Sequence, residues 1–374
     1  MIRCEVAVIG GGPAGASFAA RLAEAGRDVL VIEREAGPHD KVCGEFLSRE
    51  ALLYLSALGI DLPALGAVPI GSLGLAAGGA SVVTHLPFPA MSLSRRVLDE
   101  AMLMHATRAG ARLLRGRRVL GAGPEAGSVR LRLDDGDKVL AGTAVLATGK
   151  HDLRGHARPA GRQNDLIGFK MMFRLAPRQA ATLNGRVELM LFAGGYAGLQ
   201  PVEGGRANLC LLVRHDRFAA IGRGWPELLA AIGAETPLVA ARLDGALAEW
   251  PKPMTVAGLP FGLVMQAPGE SGLWRLGDQA AVIPSFSGDG MSIALHSARL
   301  AASAYLAGEE ARLFQARLAA DVGTQVSRAA WLSRVFVRRG PQLGLATAAR
   351  MLPIALRLGA VLTRLPERAI SGAG

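Results

Sequence analysis

Three glycines at the spacing G-x-G-x-x-G, Gly10, Gly12 and Gly15, follow directly on an apolar run that ends at Ile9. Each glycine in such a turn serves a separate physical need. The first makes a tight bend, the second lets the backbone come close to a diphosphate, and the third lets a helix pack closely on a strand. Pro13 and Ala14 open that helix, and its unbonded N–H groups and dipole favour negative charge at its start. Glu33 closes the next apolar run about 20 residues further on, where a carboxylate can accept hydrogen bonds from ribose hydroxyls. Arg34 follows it. These residues point to a dinucleotide without separating flavin from nicotinamide.

A second group separates them. Gly277 and Asp278 end a predicted strand, and Pro284 leads into Gly288, Gly290 and Met291 at a predicted helix start. An aspartate there can bind a polyol such as ribityl, and the helix N-terminus can stabilise negative charge at the N1/O2 edge of a reduced flavin. Together the two groups imply FAD. Cys43, in the loop Lys41-Val42-Cys43-Gly44-Glu45-Phe46-Leu47-Ser48, adds a thiol that either passes a proton or only packs. No metal site is expected. The three cysteines are far apart, and the seven histidines form no HExxH motif and no pairing with the cysteines. The odd cysteine count argues against a disulfide framework and for a reducing compartment, so a cytoplasmic location is expected.

Periodicity shows the elements that must position these groups. Short apolar strands at 4–9 and 28–32 flank a helix at 14–25, a βαβ unit. A helix follows at 95–109, then a hairpin of strands 128–133 and 138–141 around Asp134-Asp135-Gly136-Asp137, and a separate buried strand at 143–149. From 162 to 265 alternating runs predict an antiparallel sheet. The uncharged stretch 62–94 is interrupted by Pro63, Pro69, Pro87, Pro89 and several glycines, so it reads as short strands and turns rather than a membrane-spanning helix. The fold class expected is α/β: a Rossmann-like FAD-binding domain with a βαβ start and parallel sheet, interleaved with a mainly antiparallel β-sheet substrate domain, plus a helical C-terminal region. The expected divisions are 1–61, 91–161 and 266–306 for the FAD-binding domain, 62–90 and 162–265 for the substrate domain, and 307–374 for the helical region.

The formal charge is +11, yet no basic tract carries interleaved aromatics and aromatics make up only 5%, so nucleic acid is not an expected partner. In the tail, Arg350, Arg357 and Arg364 recur every seven residues among Met351, Leu352, Ile354, Leu358, Val361, Leu362 and Leu365. On one helix they form a basic stripe beside an apolar face. That pattern suits peripheral contact with an anionic membrane, at the inner membrane surface, or packing on the protein itself.

The stretches GGGPAGA, SRRVLDEAM and GDQAAVIP followed by SGDGMSIALHSA resemble the flavoprotein group of para-hydroxybenzoate hydroxylase, and within it the geranylgeranyl reductase family, over residues 1–310. The resemblance implies Arg95 near the FAD phosphates or adenosine, Val119 beside adenine, Ala147, Thr148 and Gly149 against the cofactor, and Val42, Cys43 and Gly44 beside the isoalloxazine ring. The family's Tyr-x-Trp-x-Phe-Pro channel motif stands here as Tyr196-Ala197-Gly198-Leu199-Gln200-Pro201, so Tyr196 and Gln200 become the substrate candidates without a prenyl-shaped channel. An Asp-Gly motif of the hydroxylases is replaced by Ala147-Thr148-Gly149-Lys150, and no Trp-x-Trp-x-Ile-Pro marks a halogenase.

The sequence therefore implies an FAD-dependent oxidoreductase acting on a hydrophobic small molecule, polyketide- or isoprenoid-like. The loss of the channel aromatics favours a monooxygenase. A C=C reductase of the geranylgeranyl type and a non-catalytic flavin-binding protein are the alternatives. NAD(P)H or a separate reductase supplies the electrons, and oligomeric state is not encoded legibly.

Overall fold

The computed structural model describes residues 1–266, 273–351 and 353–370. In the first of two large sheets, β6 (Arg112–Arg115), β2 (Val29–Glu33), β1 (Ile2–Ile9) and β9 (Lys138–Leu146) run parallel, and β8 (Ser128–Leu133) and β7 (Val119–Glu125) extend it antiparallel. Strands β1 and β2 are continuous apolar runs because both their faces are covered. Val6, Val8, Val29 and Val31 pack into a helical layer, while Ala7, Ile9, Leu30 and Ile32 join the opposite cluster. That layer holds α1 (Pro13–Glu24), α2 (Arg49–Ala57), α3 (Arg95–Arg108) and α8 (Gly290–Leu306), with α9 (Ala311–Phe336) behind them. Helix α1 buries ten of its twelve residues, five of them alanines, which lets its backbone come close to the strands.

The strands predicted separately at 138–141 and 143–149 are one strand, β9. Its first half pairs with β8 up to Ala141, and its second half pairs on the same side with β17 (Leu273–Arg275), from Ala144 to Leu146. Gly142, which looked like a break, lies at this change of partner, where a Cβ would stand 3.1 Å from the Glu5 carbonyl oxygen.

The second sheet runs β14 (Leu247–Ala248), β10 (Leu166–Arg174), β13 (Arg206–Arg214), β12 (Gly195–Val202), β11 (Arg186–Phe192), β4 (Val68–Ala77), β5 (Ala80–Ser92) and β3 (Phe46–Leu47), with β15 (Met254–Ala257) also on β10. It is antiparallel except for the β11–β4 pair. Within residues 62–94, Val68–Ser92 thus form not short strands but one long hairpin, bent by an irregularity between Ile70 and Ser72. One face, with Phe169, Met171, Leu209 and Leu211, is covered by α4 (Pro177–Leu183), α5 (His215–Ala220), α6 (Trp225–Glu235) and α7 (Pro237–Leu243). By the period of two, the alternate residues Lys170, Cys210, Tyr196, Gly198 and Gln200 turn to the other face.

A small ribbon of β16 (Leu263–Val264) and β18 (Ala281–Val282) joins the two layers. The tail forms α10 (Arg339–Met351), α11 (Pro353–Leu362) and α12 (Glu367–Ile370), the first two lying across β5. The expected basic stripe loses Arg364. Arg364 follows the end of α11 with its side chain turned inward, and Leu352 lies outside the described residues. Among the described residues no helix is long and apolar enough to cross a membrane.

Candidate active site

Between the sheets lies a cavity of about 1250 Å³. A pocket for one small ligand is usually about 300–1,000 Å³, so this one has room for a large cofactor and a substrate together. All the candidate residues line it except Gly15 and Pro284. Gly15 acts one layer behind: a Cβ there would stand 2.0 Å from the Gly10 carbonyl oxygen. Gly10 has φ +105°, and its own Cβ would meet the Ala147 carbonyl at 2.5 Å. The turn is thus pressed against the end of β9.

Gly12 is different. It caps α1, and a Cβ there meets only the tips of Arg95, at 3.2 Å, and Lys41, at 3.8 Å, with Asp99 at 3.9 Å. A helix start flanked by two cations is a fitting cradle for a diphosphate. Arg95 is held by a two-pronged bond to Asp99, 2.6 Å from Nε and 2.8 Å from Nη2, and Lys41 reaches the same carboxylate at 2.9 Å. Burial disfavours both charges, but the Asp99 carboxylate holds Arg95 above its ordinary pKa. Arg95 and Lys41 in turn outweigh burial at Asp99 and hold it below the usual carboxylate range. Glu33, at the end of β2, accepts the Gly11 N–H at 2.7 Å and the Glu35 N–H at 3.1 Å, which fixes it at the cradle's rim.

At the other end, Gly277 has φ +57° and its N–H donates to Ser297 Oγ at 2.9 Å; a Cβ there would press on Ala14. Gly288, also left-handed, has the Phe46 ring 2.6 Å from where a Cβ would be. Both ends of the expected cofactor site therefore depend on missing side chains. Asp289, beside Gly288, is completely buried and satisfied by Ser48 at 2.9 Å, by Arg364 at 3.0 Å and by Gln325. The Arg364 guanidinium also stacks 4.8 Å from the Phe88 ring centre and donates to the Ser287 carbonyl.

The Cys43 loop crosses between these ends. The Cys43 carbonyl accepts from Asn208 at 2.9 Å, and its Sγ accepts the Glu45 N–H at 3.3 Å, with the Arg95 side chain also in hydrogen-bonding contact. On the sheet wall stand Tyr196, Gly198 and Gln200. Tyr196 meets Phe286 and Phe336 edge-on at 5.7 and 6.3 Å, and burial pushes its hydroxyl up to about 12. The Gln200 side-chain nitrogen is buried with no hydrogen-bond partner. A Cβ on Gly198 would find only the Cys210 carbonyl oxygen, at 3.7 Å, so this stretch of wall is open. Burial pushes the neighbouring Cys210 thiol up to about 12, leaving it an inert, neutral wall group.

Sequence reasoning missed Lys41, Glu45, Asp99, Lys170, Asn208 and Arg364. Lys41 and Glu45 lie within the quoted Cys43 loop, and Asp99 sits one helical turn after Arg95, the spacing of an ion pair. A lone lysine in the apolar run of β10 was a further signal: Lys170 is completely buried. Among the described residues no cluster of His, Cys, Asp and Glu could hold a metal ion.

Residues 3–143 match the FAD binding domain family. The chain is 28% identical to the menaquinone reductase of Mycobacterium tuberculosis, over 95% of this chain and 90% of that protein. It is also 28% identical to digeranylgeranylglycerophospholipid reductase 1 of Methanopyrus kandleri, over 79% of each. Among solved structures, the myxobacterial chondrochloren halogenase CndH superposes with a TM-score of 0.75 at 20% identity, over 96% of this chain and 91% of that one, a likeness of fold. With an FAD binding domain at its start, relatives that are reductases along most of its length, and a cavity built from a dinucleotide cradle, the chain is an FAD-dependent oxidoreductase resembling the geranylgeranyl reductases.

Proposed function

We propose that the protein reduces a carbon–carbon double bond in a hydrophobic, isoprenoid-bearing molecule. The observation that carries this reading is the continuous cavity that joins the dinucleotide cradle to a greasy wall of Tyr196, Phe286 and Phe336, with the Cys43 loop at the junction. The adenosine end of FAD is held by Glu33, Arg34 and Val119. Gly12, the start of α1, Arg95 and Lys41 hold the diphosphate. Gly277–Asp278, Pro284, Gly288–Met291, Ala147–Gly149 and Val42–Gly44 hold the flavin end. When bound, the flavin supplies hydride equivalents. The chain's own residues orient the substrate, keep water out and provide a proton.

Oxygen insertion is the second reading, favoured in the sequence by the lost aromatics of the channel motif. The cavity accounts for that loss differently. Gly198 and Gln200 are wall positions, so their identity widens the chamber and bears on the shape of the substrate rather than on the reaction. The two reductases match most of the chain, whereas the halogenase shares the fold alone. Anaerobic enzyme reduced with dithionite, mixed with menaquinone or a geranylgeranyl lipid, should give a product that remains heavier by two hydrogens after any quinol has been reoxidised in air. A product formed only after oxygen is admitted, heavier by one oxygen atom, rules the reductase reading out.

Filling the open wall tests the substrate side alone. Gly198→Trp should fold and stay yellow, because a Cβ there clashes with nothing, yet raise KM for a bulky substrate at least about tenfold, the scale on which pocket shape discriminates. An unchanged KM places the substrate elsewhere.

The outer face of α11 favours a lipid surface as the route of entry. Ile354, Leu358, Val361 and Leu362 are exposed beside Arg357, while Leu356, Gly359 and Ala360 of the same helix line the cavity. Flotation with anionic vesicles should carry the protein at low salt and lose it at high salt or with neutral lipid; replacing Ile354, Leu358 and Val361 with serine should abolish it. A protein that never floats leaves this face without a membrane role.

A further inference from the structure

Resting on the reductase reading, we infer that Glu45, rather than the Cys43 thiol, is the acid that protonates the substrate, and that Lys170 is the positioning residue that holds the carboxylate left behind. Glu45 is completely buried, lines the cavity and sits in a left-handed backbone conformation, φ +63°, although it is not glycine. Strain of this kind persists where the surroundings over-determine it, and it clusters at functional sites.

The two carboxyl oxygens of Glu45 have unequal surroundings. Oε1 accepts the Arg95 N–H at 3.0 Å and the Lys170 ammonium. Oε2 is buried with no partner in the protein. An ionised carboxylate would leave that second oxygen uncompensated, whereas a neutral carboxyl places its proton there as a donor. Desolvation raises the Glu45 pKa and outweighs the opposing pull of Lys170. The groups facing it from other elements are Lys170 on β10, Cys210 on β13, the start of α3 through Arg95, and Asp40 on its own loop. The Cys43 sulfur, by contrast, is already engaged by the Glu45 N–H and the Arg95 side chain.

Atoms and electrons balance in this step. One carbon of the substrate double bond gains a hydride, two electrons and one hydrogen, supplied by the FAD-dependent activity. The other carbon takes the proton from Glu45 Oε2. The new carboxylate is stabilised by the Lys170 ammonium and the Arg95 N–H, and it recovers a proton from water at the rim, where Asp40 stands 3.5 Å from Lys170.

Infrared titration of the purified protein tests the acid without turnover. A protonated-carboxyl band should disappear as pH rises, with a midpoint above that of an ordinary glutamate, and should be missing in Glu45→Gln. With menaquinone or a geranylgeranyl lipid as probe, Glu45→Gln should keep FAD and lose about 100-fold or more of its turnover, the scale of a positioned general acid. Turnover of the wild type should fall as Glu45 ionises with rising pH, and this limb should vanish in the variant. Glu45→Gln/Lys170→Met, which removes the buried ammonium as well, serves as the folding control. Any stability lost in Glu45→Gln should return in it, with turnover still as slow. Absence of the band, turnover of Glu45→Gln above a tenth of wild type, or loss of activity in Cys43→Ala alone overturns the proposal. A wild type that adds no hydrogen to either probe overturns the reductase reading instead, and the infrared band still decides whether Glu45 is a neutral acid.

Discussion

Gly12→Val should purify folded and colourless, while Gly15→Val should not accumulate as a folded protein. The two positions belong to one motif but meet different surroundings. A side chain at Gly12 encounters only side-chain tips, those of Arg95 and Lys41 first, so the protein can absorb it. The cost is that of a poor helix cap, about 1 kcal/mol. The added methyls fill the space through which a diphosphate approaches the backbone, and binding is lost. At Gly15 the obstruction is backbone, the Gly10 carbonyl oxygen at 2.0 Å, with Val8 and Ala147 each at 3.1 Å. Nothing there can rotate away, so helix and turn must separate. Overpacking of ordinary core sites costs about 1–3 kcal/mol, and a backbone collision exceeds that. Bound-flavin absorbance and urea denaturation of both variants against apo wild type separate the effects. A yellow Gly12→Val would move the diphosphate off this turn.

Arg364→Met should destabilise the protein by about 3–5 kcal/mol in urea denaturation, the cost of leaving a buried charge without its partner. Asp289 is wholly buried, and Arg364 is the cation paired with it. Glu50 lies in the same network, both carboxylates meeting the single hydroxyl of Ser48, at 2.8 and 2.9 Å. Burial and Asp289 hold the Glu50 pKa above its ordinary value, and Arg364 opposes them. Removing the arginine raises it further. A carboxyl raised by folding contributes stability that is lost as pH rises through its folded pKa. The deficit of Arg364→Met should therefore be largest at pH values above the raised Glu50 pKa and shrink as the pH falls and Glu50 takes up its proton. Adding Asp289→Asn should return much of the loss at neutral pH. A variant equally destabilised at all pH values would assign the effect to lost packing on Phe88.

The dinucleotide cradle was legible because its chemistry demands residues at fixed sequence spacing. Gly10, Gly12, Gly15 and Glu33 meet through local βαβ geometry, and the pattern carries the geometry with it. Gly277 and Gly288 were legible for the same reason. The acid–base groups were not, because their partners come from distant elements: Glu45 and Lys170 are brought together only by the docking of a loop on β10, which no periodicity records. The tail failed differently. A seven-residue recurrence of arginine presumes one helix, but α11 ends at Leu362 and Arg364, just beyond it, turns inward to a carboxylate 75 positions earlier. Gly142 was misread because a glycine within a strand marks close backbone approach as readily as a stop.

The change of partner along β9 has a consequence for how the chain is made. Its distal half stays without a neighbour on one side until β17 has been synthesised, after the whole second sheet. Through that interval a nascent chain carries an open, apolar strand end at Ala144–Leu146 beside an unfinished cradle, the type of edge that recruits other chains. The glycine turn that receives the diphosphate exists early, and the segment that receives the flavin ring arrives late. Completion of the flavin end of the site is therefore tied to the closing of that edge.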